Sequence, residues 1–91
     1  RASVELKKDA IRSLGEIRSA EAIPVLRKIS AQRRFFHRQS NDELRTAAAI
    51  ALGEIGDDSV SDLLEKLLHD KSANVARAAA QALKQIDRGL S

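Results

Sequence analysis

Several residue types are missing from this 91-residue sequence, and each absence narrows what the chain can be. Without cysteine, the chain can form neither a disulfide nor a thiolate metal site, which favours a reducing compartment, with the cytoplasm as our expectation. No apolar run approaches the roughly 20 residues that a membrane helix needs, and no signal-like segment opens the chain. We therefore expect no membrane association.

Aromatic residues, proline and glycine are scarce, whereas charge is plentiful and uneven. The chain has two Phe, neither Tyr nor Trp, one Pro and four Gly. Residues 1–40 carry ten basic and four acidic side chains, a net charge of +6, and residues 41–91 carry six and nine, a net charge of −3. This asymmetry favours an acidic protein, a nucleic acid or an acidic neighbour within a longer parent chain as partner. The missing initiator Met also predicts a longer parent chain.

Three segments align with one another without a gap, at residues 6–17, 44–55 and 75–86. They read LKKDAIRSLGEI, LRTAAAIALGEI and VARAAAQALKQI. Each segment predicts one amphipathic helix, because its apolar residues recur at helical spacing. The shared stripe consists of Leu6, Ala10, Ser13, Leu14 and Ile17 in the first copy, Leu44, Ala48, Ala51, Leu52 and Ile55 in the second, and Val75, Ala79, Ala82, Leu83 and Ile86 in the third.

A second type of helix is predicted between the copies, in SAEAIPVLRKI (19–29) and DDSVSDLLEKL (57–67). Gly56 followed by Asp57 is typical of a helix stop and then an N-cap, and Ser19 occupies the same capping position in the first copy. Pro24 falls in the first turns of its helix, where a missing amide donor costs little.

These patterns predict an all-α fold, an α-solenoid fragment of about two and a half helical hairpins in a single domain, residues 1–91. Repeat 1 spans about residues 4–40, repeat 2 about 41–70, and a half repeat about 73–88. Because neither end of the stack has a polar cap, we expect a monomer or a weak homodimer that uses an exposed terminal face.

The segment LRTAAAIALGEIGDDSVSDLLEKLLHD resembles the HEAT-repeat family, specifically a short bacterial form similar to phycobilisome-lyase HEAT-like repeats. The resemblance implies a noncatalytic scaffold or adaptor with a protein partner, and a concave face lined by the helices that carry the Leu-Arg motif. A lyase-like helper in chromophore attachment is a lesser alternative. Arg45 of this motif is matched by Lys7 in the first copy but by Ala76 in the third, so a polar ladder between repeats is in question there.

The first two copies are separated by 38 residues and the last two by 31, so seven residues are inserted in the stretch QRRFFHRQ (32–39). Seven residues make about two helical turns, which predicts that the second helix is extended through this stretch. On that helix Phe36 would be buried and Phe35 partly exposed. A solvated basic face is the simpler interpretation of the arginines, and the alternative is a nucleic-acid or polyanion site that uses Arg27, Arg34, Phe35 and Arg38.

Partner binding is instead expected on the concave face, at positions that recur in register across the three copies but lie off the apolar stripe. Ile50 is the informative one, because a large aliphatic with polar neighbours suits protein recognition. The alternative is that Ile50 packs on an adjacent helix or merely fills the curved inner face. The three rows are Lys8, Thr46 and Arg77; Arg12, Ile50 and Gln81; and Glu16, Glu54 and Gln85.

No combination of residues in the sequence predicts catalysis, a metal site or a cofactor. His37 and His69 fall on separate predicted elements, and no cysteine is available as a nucleophile. Asp57 and Asp58 stand at a helix start, where carboxylates cap amide groups. We expect a protein that is not an enzyme.

Overall fold

The computed structural model describes residues 2–32 and 38–90 of the chain, and these residues form five α-helices. The helices are α1 (Ala2–Ile17), α2 (Ile23–Ala31), α3 (Arg38–Ile55), α4 (Ser61–Leu67) and α5 (Ala73–Leu90). Short 3-10 turns, Ala20–Ala22 and Asp58–Val60, lead into α2 and α4. No strand occurs in the described ranges, which confirms the all-α class and the five predicted helices.

The helices form two layers around one core. The three copies of the repeated segment, α1, α3 and α5, lie side by side with α3 in the middle, while α2 packs on α3 and α4 packs on α5. The apolar stripes of α3 and α5 face the core as predicted, with Leu44, Ile55 and Leu83 partly buried and the other residues buried. The largest fully buried apolar side chains come from four of the five helices and the second 3-10 turn: Leu26, Leu52, Val60, Leu64, Val75 and Ile86.

The apolar stripe of α1 behaves differently from those of α3 and α5. Leu6 and Ile17 are each 70% exposed, and Ala10 and Ser13 are also exposed. Helix α3 packs against both α1 and α2, whereas α1 packs against α3 and leaves this face exposed among the described residues. The expectation of a monomer or a weak homodimer through an exposed terminal face stays a prediction.

The predicted turn between α3 and α4 is present in full. Gly56 has a φ of 73°, a left-handed conformation that glycine adopts without strain, and it ends α3. Asp57 follows as the N-cap, and its Oδ1 accepts a 2.8 Å hydrogen bond from the backbone N–H of Ser59. In the first copy Arg18 takes the glycine position with a φ of 59°, and Ser19 occupies the cap position without a side-chain cap hydrogen bond.

The Asp57 cap predicts a pH-dependent contribution to stability. The backbone N–H of Ser59, and secondarily its hydroxyl, stabilise the carboxylate and lower the Asp57 pKa below its ordinary value of 3.8. Because the folded-state pKa is the lower one, the stabilisation is complete above the unfolded-state pKa and is lost as the pH falls through the folded-state pKa. Asp57→Ala should therefore melt at a lower temperature than wild type at pH 7, and the difference should shrink below pH 4. Asp57→Asn, which retains a capping oxygen, is the control, and an Ala deficit that is equally large at pH 2 would contradict this origin.

The predicted extension of the second helix is wrong. Helix α2 ends at Ala31, and Gln32 has an extended backbone, with φ −68° and ψ 132°. The carbonyls at this end accept hydrogen bonds from α3: Nε of Arg45 donates to the Ser30 oxygen at 2.9 Å, and Nδ2 of Asn41 donates to the Gln32 oxygen at 2.9 Å. Carbonyls left open at a helix end need such partners, and here the partners come from the neighbouring helix rather than from another turn of α2.

Of the stretch 32–39, the described residues Arg38 and Gln39 belong to α3, and Gln32 lies beyond the end of α2. Arg38 begins α3, so it shares no helix with Arg27, and the continuous basic stripe predicted over 27–38 does not exist. Helix α3 begins six residues before Leu44, whereas α5 begins two residues before its equivalent, Val75. The predictions for Arg34, Phe35 and Phe36 concern residues outside the described ranges.

Candidate functional site

An open groove of about 780 Å³ crosses the layer formed by α1, α3 and α5. It lies on the side of α3 opposite Asn41 and Arg45, which contact α2. All three repeated helices contribute to its walls. The residues that line it are Lys8 and Arg12 of α1, Asp42, Glu43, Thr46, Ala47, Ile50 and Glu54 of α3, and Asn74 of α5.

The structure brings five of the nine candidate partner-binding residues together in this groove: Lys8, Arg12, Thr46, Ile50 and Glu54. The other four, Glu16, Arg77, Gln81 and Gln85, are exposed outside its lining. Sequence reasoning missed Asp42, Glu43, Ala47 and Asn74. Helical spacing could have found Asp42 and Glu43, because residues four and three positions before Thr46 share its face.

Ile50 supplies the most exposed apolar side chain of the groove, with 46% of its surface accessible. An adjacent helix therefore does not cover Ile50 completely. Its neighbours in the lining are charged or polar apart from Ala47. An apolar centre with a polar rim is the arrangement found in protein-binding surfaces.

The basic residues of the groove already have acidic partners. Nζ of Lys8 donates to Oε1 of Glu43 at 3.3 Å and lies 3.9 Å from Oε1 of Glu5. Nη1 of Arg12 lies 3.7 Å from Oδ1 of Asp9, in a pair that is largely exposed. Such pairs contribute little to stability, but they offset the positive charge that α1 brings to the groove.

The carboxylate of Glu54 has no such partner. Glu54 is half-buried, and among the described residues no hydrogen bond or ion pair reaches it. Its side chain lies over Gly15 of α1, where an added Cβ would be 2.5 Å from Oε1 of Glu54 and 2.9 Å from Ala51. The equivalent residue of α5, Gln85, lies over Gly53 in the same way, with Oε1 at 2.8 Å from an added Cβ. Glu54 thus carries a charge in a place where the next copy has a neutral amide.

Arg27, one of the candidate polyanion-binding residues, is engaged within the protein. Its Nη2 donates to the carbonyl oxygen of Ser59 at 2.8 Å and lies 3.6 Å from Oδ1 of Asp62. These contacts join α2 to the start of α4 in the outer layer. Arg27 consequently links two repeats instead of standing free for an anion.

A buried polar link runs from the end of α2 through α3 to the start of α5. Arg45 is 3% exposed, and its guanidinium forms a two-point pair with the carboxylate of Asp70, with Nη1 to Oδ2 at 3.2 Å and Nη2 to Oδ1 closer. Asp70 Oδ2 also accepts from the backbone N–H of Ser72 at 3.0 Å. A two-point pair between arginine and a carboxylate is among the strongest side-chain interactions and fixes the relative positions of its partners. This link is one polar connection between successive repeats, made by the arginine of the Leu-Arg motif. The aligned residue of α5 is Ala76, so the third copy lacks this arginine.

Within the ranges that the structure describes, no group of three His, Cys, Asp or Glu side chains could hold a metal ion. His69 is exposed at the end of α4, and His37 lies outside the described residues. None of the described helices is both long and apolar enough to cross a membrane.

The stacked hairpins and the link between successive repeats define an α-solenoid repeat protein. Comparison with protein families agrees: HEAT repeats match residues 33–89, and the PBS lyase HEAT-like repeat matches residues 6–32. The chain belongs to the HEAT-repeat family. HEAT repeats generally act as scaffolds for protein interaction and are typically noncatalytic. A search of curated proteins found no match.

Proposed function

We propose that this domain is a noncatalytic scaffold or adaptor that binds a protein partner through the groove on α1, α3 and α5. The observation that carries the proposal is the exposure of Ile50, 46%, at a groove lined mainly by polar and charged side chains. Apolar anchors of this kind provide much of the binding energy of protein interfaces, and a polar rim provides specificity.

The packing of the three helices supports the same function. An added Cβ at Gly15 would come within 2.9 Å of Ala51, and one at Gly53 within 2.6 Å of Ala82, so glycine allows the helices to approach closely at both junctions. Close packing holds the groove in one shape before a partner arrives, which lowers the entropy cost of binding.

We predict that Ile50→Asp weakens binding of the partner. A charge at the apolar anchor should weaken binding by about 1–3 kcal/mol, roughly 5- to 150-fold. The measurement is affinity capture from a lysate of the source organism, with and without nuclease, followed by titration of the captured protein. Val25→Asp is the control, because Val25 is an exposed aliphatic of the outer helix α2.

The nuclease arm separates this function from the alternative of a polyanion partner. A nuclease-resistant protein that binds wild type and Val25→Asp but not Ile50→Asp supports the groove. Capture that is abolished by nuclease and unaffected by Ile50→Asp would contradict it and favour nucleic acid, for which the +6 charge of residues 1–40 is the supporting observation.

Chromophore attachment is a lesser alternative function, and only the match of residues 6–32 to the PBS lyase HEAT-like repeat supports it.

We propose the cytoplasm as the location of the adaptor, and the absence of cysteine supports this location. A bacterial source is proposed on the same match to the PBS lyase HEAT-like repeat. By this proposal the partner is either a separate protein or another part of a longer parent chain.

A further inference from the structure

We infer that the partner segment that enters the groove carries an aliphatic side chain beside a lysine or arginine, so that the aliphatic group contacts Ile50 and the cation pairs with Glu54. The inference rests on the proposed function and specifies the chemistry of the partner. Two observations support it. The basic side chains of the groove already have acidic partners, and the carboxylate of Glu54, which has none among the described residues, lies one helical turn from Ile50.

The charge balance of the groove favours a cationic ligand. Lys8 is held by Glu43, Arg12 lies beside Asp9, and Asp42 has Oδ1 3.6 Å from Nη1 of Arg45. Glu54 has no counterpart among the described residues. A ligand carboxylate would have to displace an acidic side chain from Lys8 or Arg12, whereas a ligand cation would meet Glu54 without breaking any pair.

The position of Glu54 strengthens its attraction for a cation. Its carboxylate lies against the backbone of α1 at Gly15, where part of its hydration is lost, and charge interactions are stronger in such sites than in open solvent. Glu54 is the penultimate residue of α3 and Glu16 that of α1, so two carboxylates stand at the negative ends of two neighbouring helix dipoles.

The spacing of Ile50 and Glu54 defines what the ligand must present. The two residues are four positions apart and therefore lie one turn apart on the same face of α3, with Cβ atoms about 5–6 Å from each other. A peptide can match this spacing with an aliphatic and a basic residue that are adjacent, or one helical turn apart. An uncharged apolar ligand would cover Glu54 without neutralising it, at the cost of desolvating a charge.

The test is a selection of 12-residue peptides from a random phage-displayed library against the full 91-residue chain. Selections run in parallel on wild type, Glu54→Gln, Ile50→Asp and the control Glu65→Gln, since Glu65 is an exposed carboxylate of α4. Glu54→Gln should fold normally, because Gln85 already occupies the equivalent place over Gly53. Peptides enriched on wild type should contain Leu, Ile or Val within four residues of Lys or Arg.

A synthetic copy of the most enriched peptide then gives the quantitative result. Glu54→Gln should weaken its binding about fivefold or more, Glu65→Gln should not, and replacing the peptide's basic residue by Gln should cause no further loss on Glu54→Gln. Binding lost on Ile50→Asp but unchanged on Glu54→Gln overturns the basic-partner inference and leaves the groove proposal standing. Acidic consensus sequences, or no enrichment over an uncoated support, also overturn the inference, and peptides that bind Ile50→Asp as well as wild type overturn both.

Discussion

Asp70→Ala is expected to destabilise the fold by up to about 3–5 kcal/mol, because the substitution removes the two-point partner of a buried arginine. The carboxylate of Asp42, with Oδ1 3.6 Å from Nη1 of Arg45, is then the remaining counter-charge among the described residues. The side chain of Asp70 is 2% exposed and that of Arg45 is 4% exposed, so water cannot replace the lost carboxylate without opening the core. The substitution also removes the acceptor of the Ser72 backbone N–H at the start of α5. The effect should be large relative to the total stability of a domain of this size.

Equilibrium unfolding in urea measures the loss, and Asp62→Ala is the matched control. The side chain of Asp62 is 72% exposed and lies 3.6 Å from Arg27, so its removal should cost at most about 1 kcal/mol. The double variant Arg45→Met, Asp70→Leu should be more stable than Asp70→Ala, since it buries no unpaired charge. If Asp70→Ala costs no more than Asp62→Ala, the buried pair does not hold the repeats together.

Gly53→Ala is expected to destabilise the domain although alanine is the better helix former. The new methyl carbon would lie 2.6 Å from Cα and Cβ of Ala82, and a backbone atom cannot yield unless α3 and α5 move apart. Overpacking of this kind costs about 1–3 kcal/mol and in severe cases more, which outweighs the roughly 1 kcal/mol that alanine gains over glycine in helix propensity.

The comparison position is Lys84, which aligns with Gly53 in the third copy and is exposed on α5. Lys84→Gly should cost less than about 1 kcal/mol, as the propensity difference alone predicts. Unfolding curves of both variants give the free energies, and titration of the partner on Gly53→Ala shows whether wider helix spacing also weakens binding at the groove. A Gly53→Ala variant that is more stable than wild type would mean that α3 and α5 do not pack as closely as described.

Most of the helical architecture was predictable, because the signals that define it are local. The apolar stripe of Ala48, Leu52 and Ile55, the stop at Gly56 and the cap at Asp57 each depend on residues within a few positions of one another. The alignment of three such segments then predicts that the helices stack, and the family comparison confirms this interpretation.

The wrong prediction of a longer α2 has a specific physical cause. The inserted residues keep the helical phase, so nothing in their spacing argues against a longer helix. Helix α2 ends where Arg45 and Asn41 of α3 donate hydrogen bonds to the carbonyl oxygens of Ser30 and Gln32. These interactions join residues 15 and 9 positions apart in sequence and depend on how the two helices pack.

The groove was partly predictable for a related reason. Position in the repeat predicts that Ile50 and Glu54 face away from the core, and the structure places both in the groove. The same reasoning assigned Arg77 and Gln81 to that face, but they are exposed outside its lining. A sequence alignment does not contain the offset and tilt between stacked helices. These determine which of the equivalent residues on α1, α3 and α5 reach the groove.

By itself, the sequence determined the helices apart from the end of α2, the inward faces of α3 and α5, the turn at Gly56 and Asp57, and the repeat family. These features follow from periodicity and capping within short segments. Only the tertiary structure decided which charges are paired. Arg45 is joined to Asp70 across 25 positions, and Arg27 donates to the Ser59 carbonyl across 32. Glu54 lies over Gly15 without a partner in the part of the chain that the structure describes. The reason is that charge pairing depends on distance and burial in space, which stacking creates between residues that are far apart along the chain.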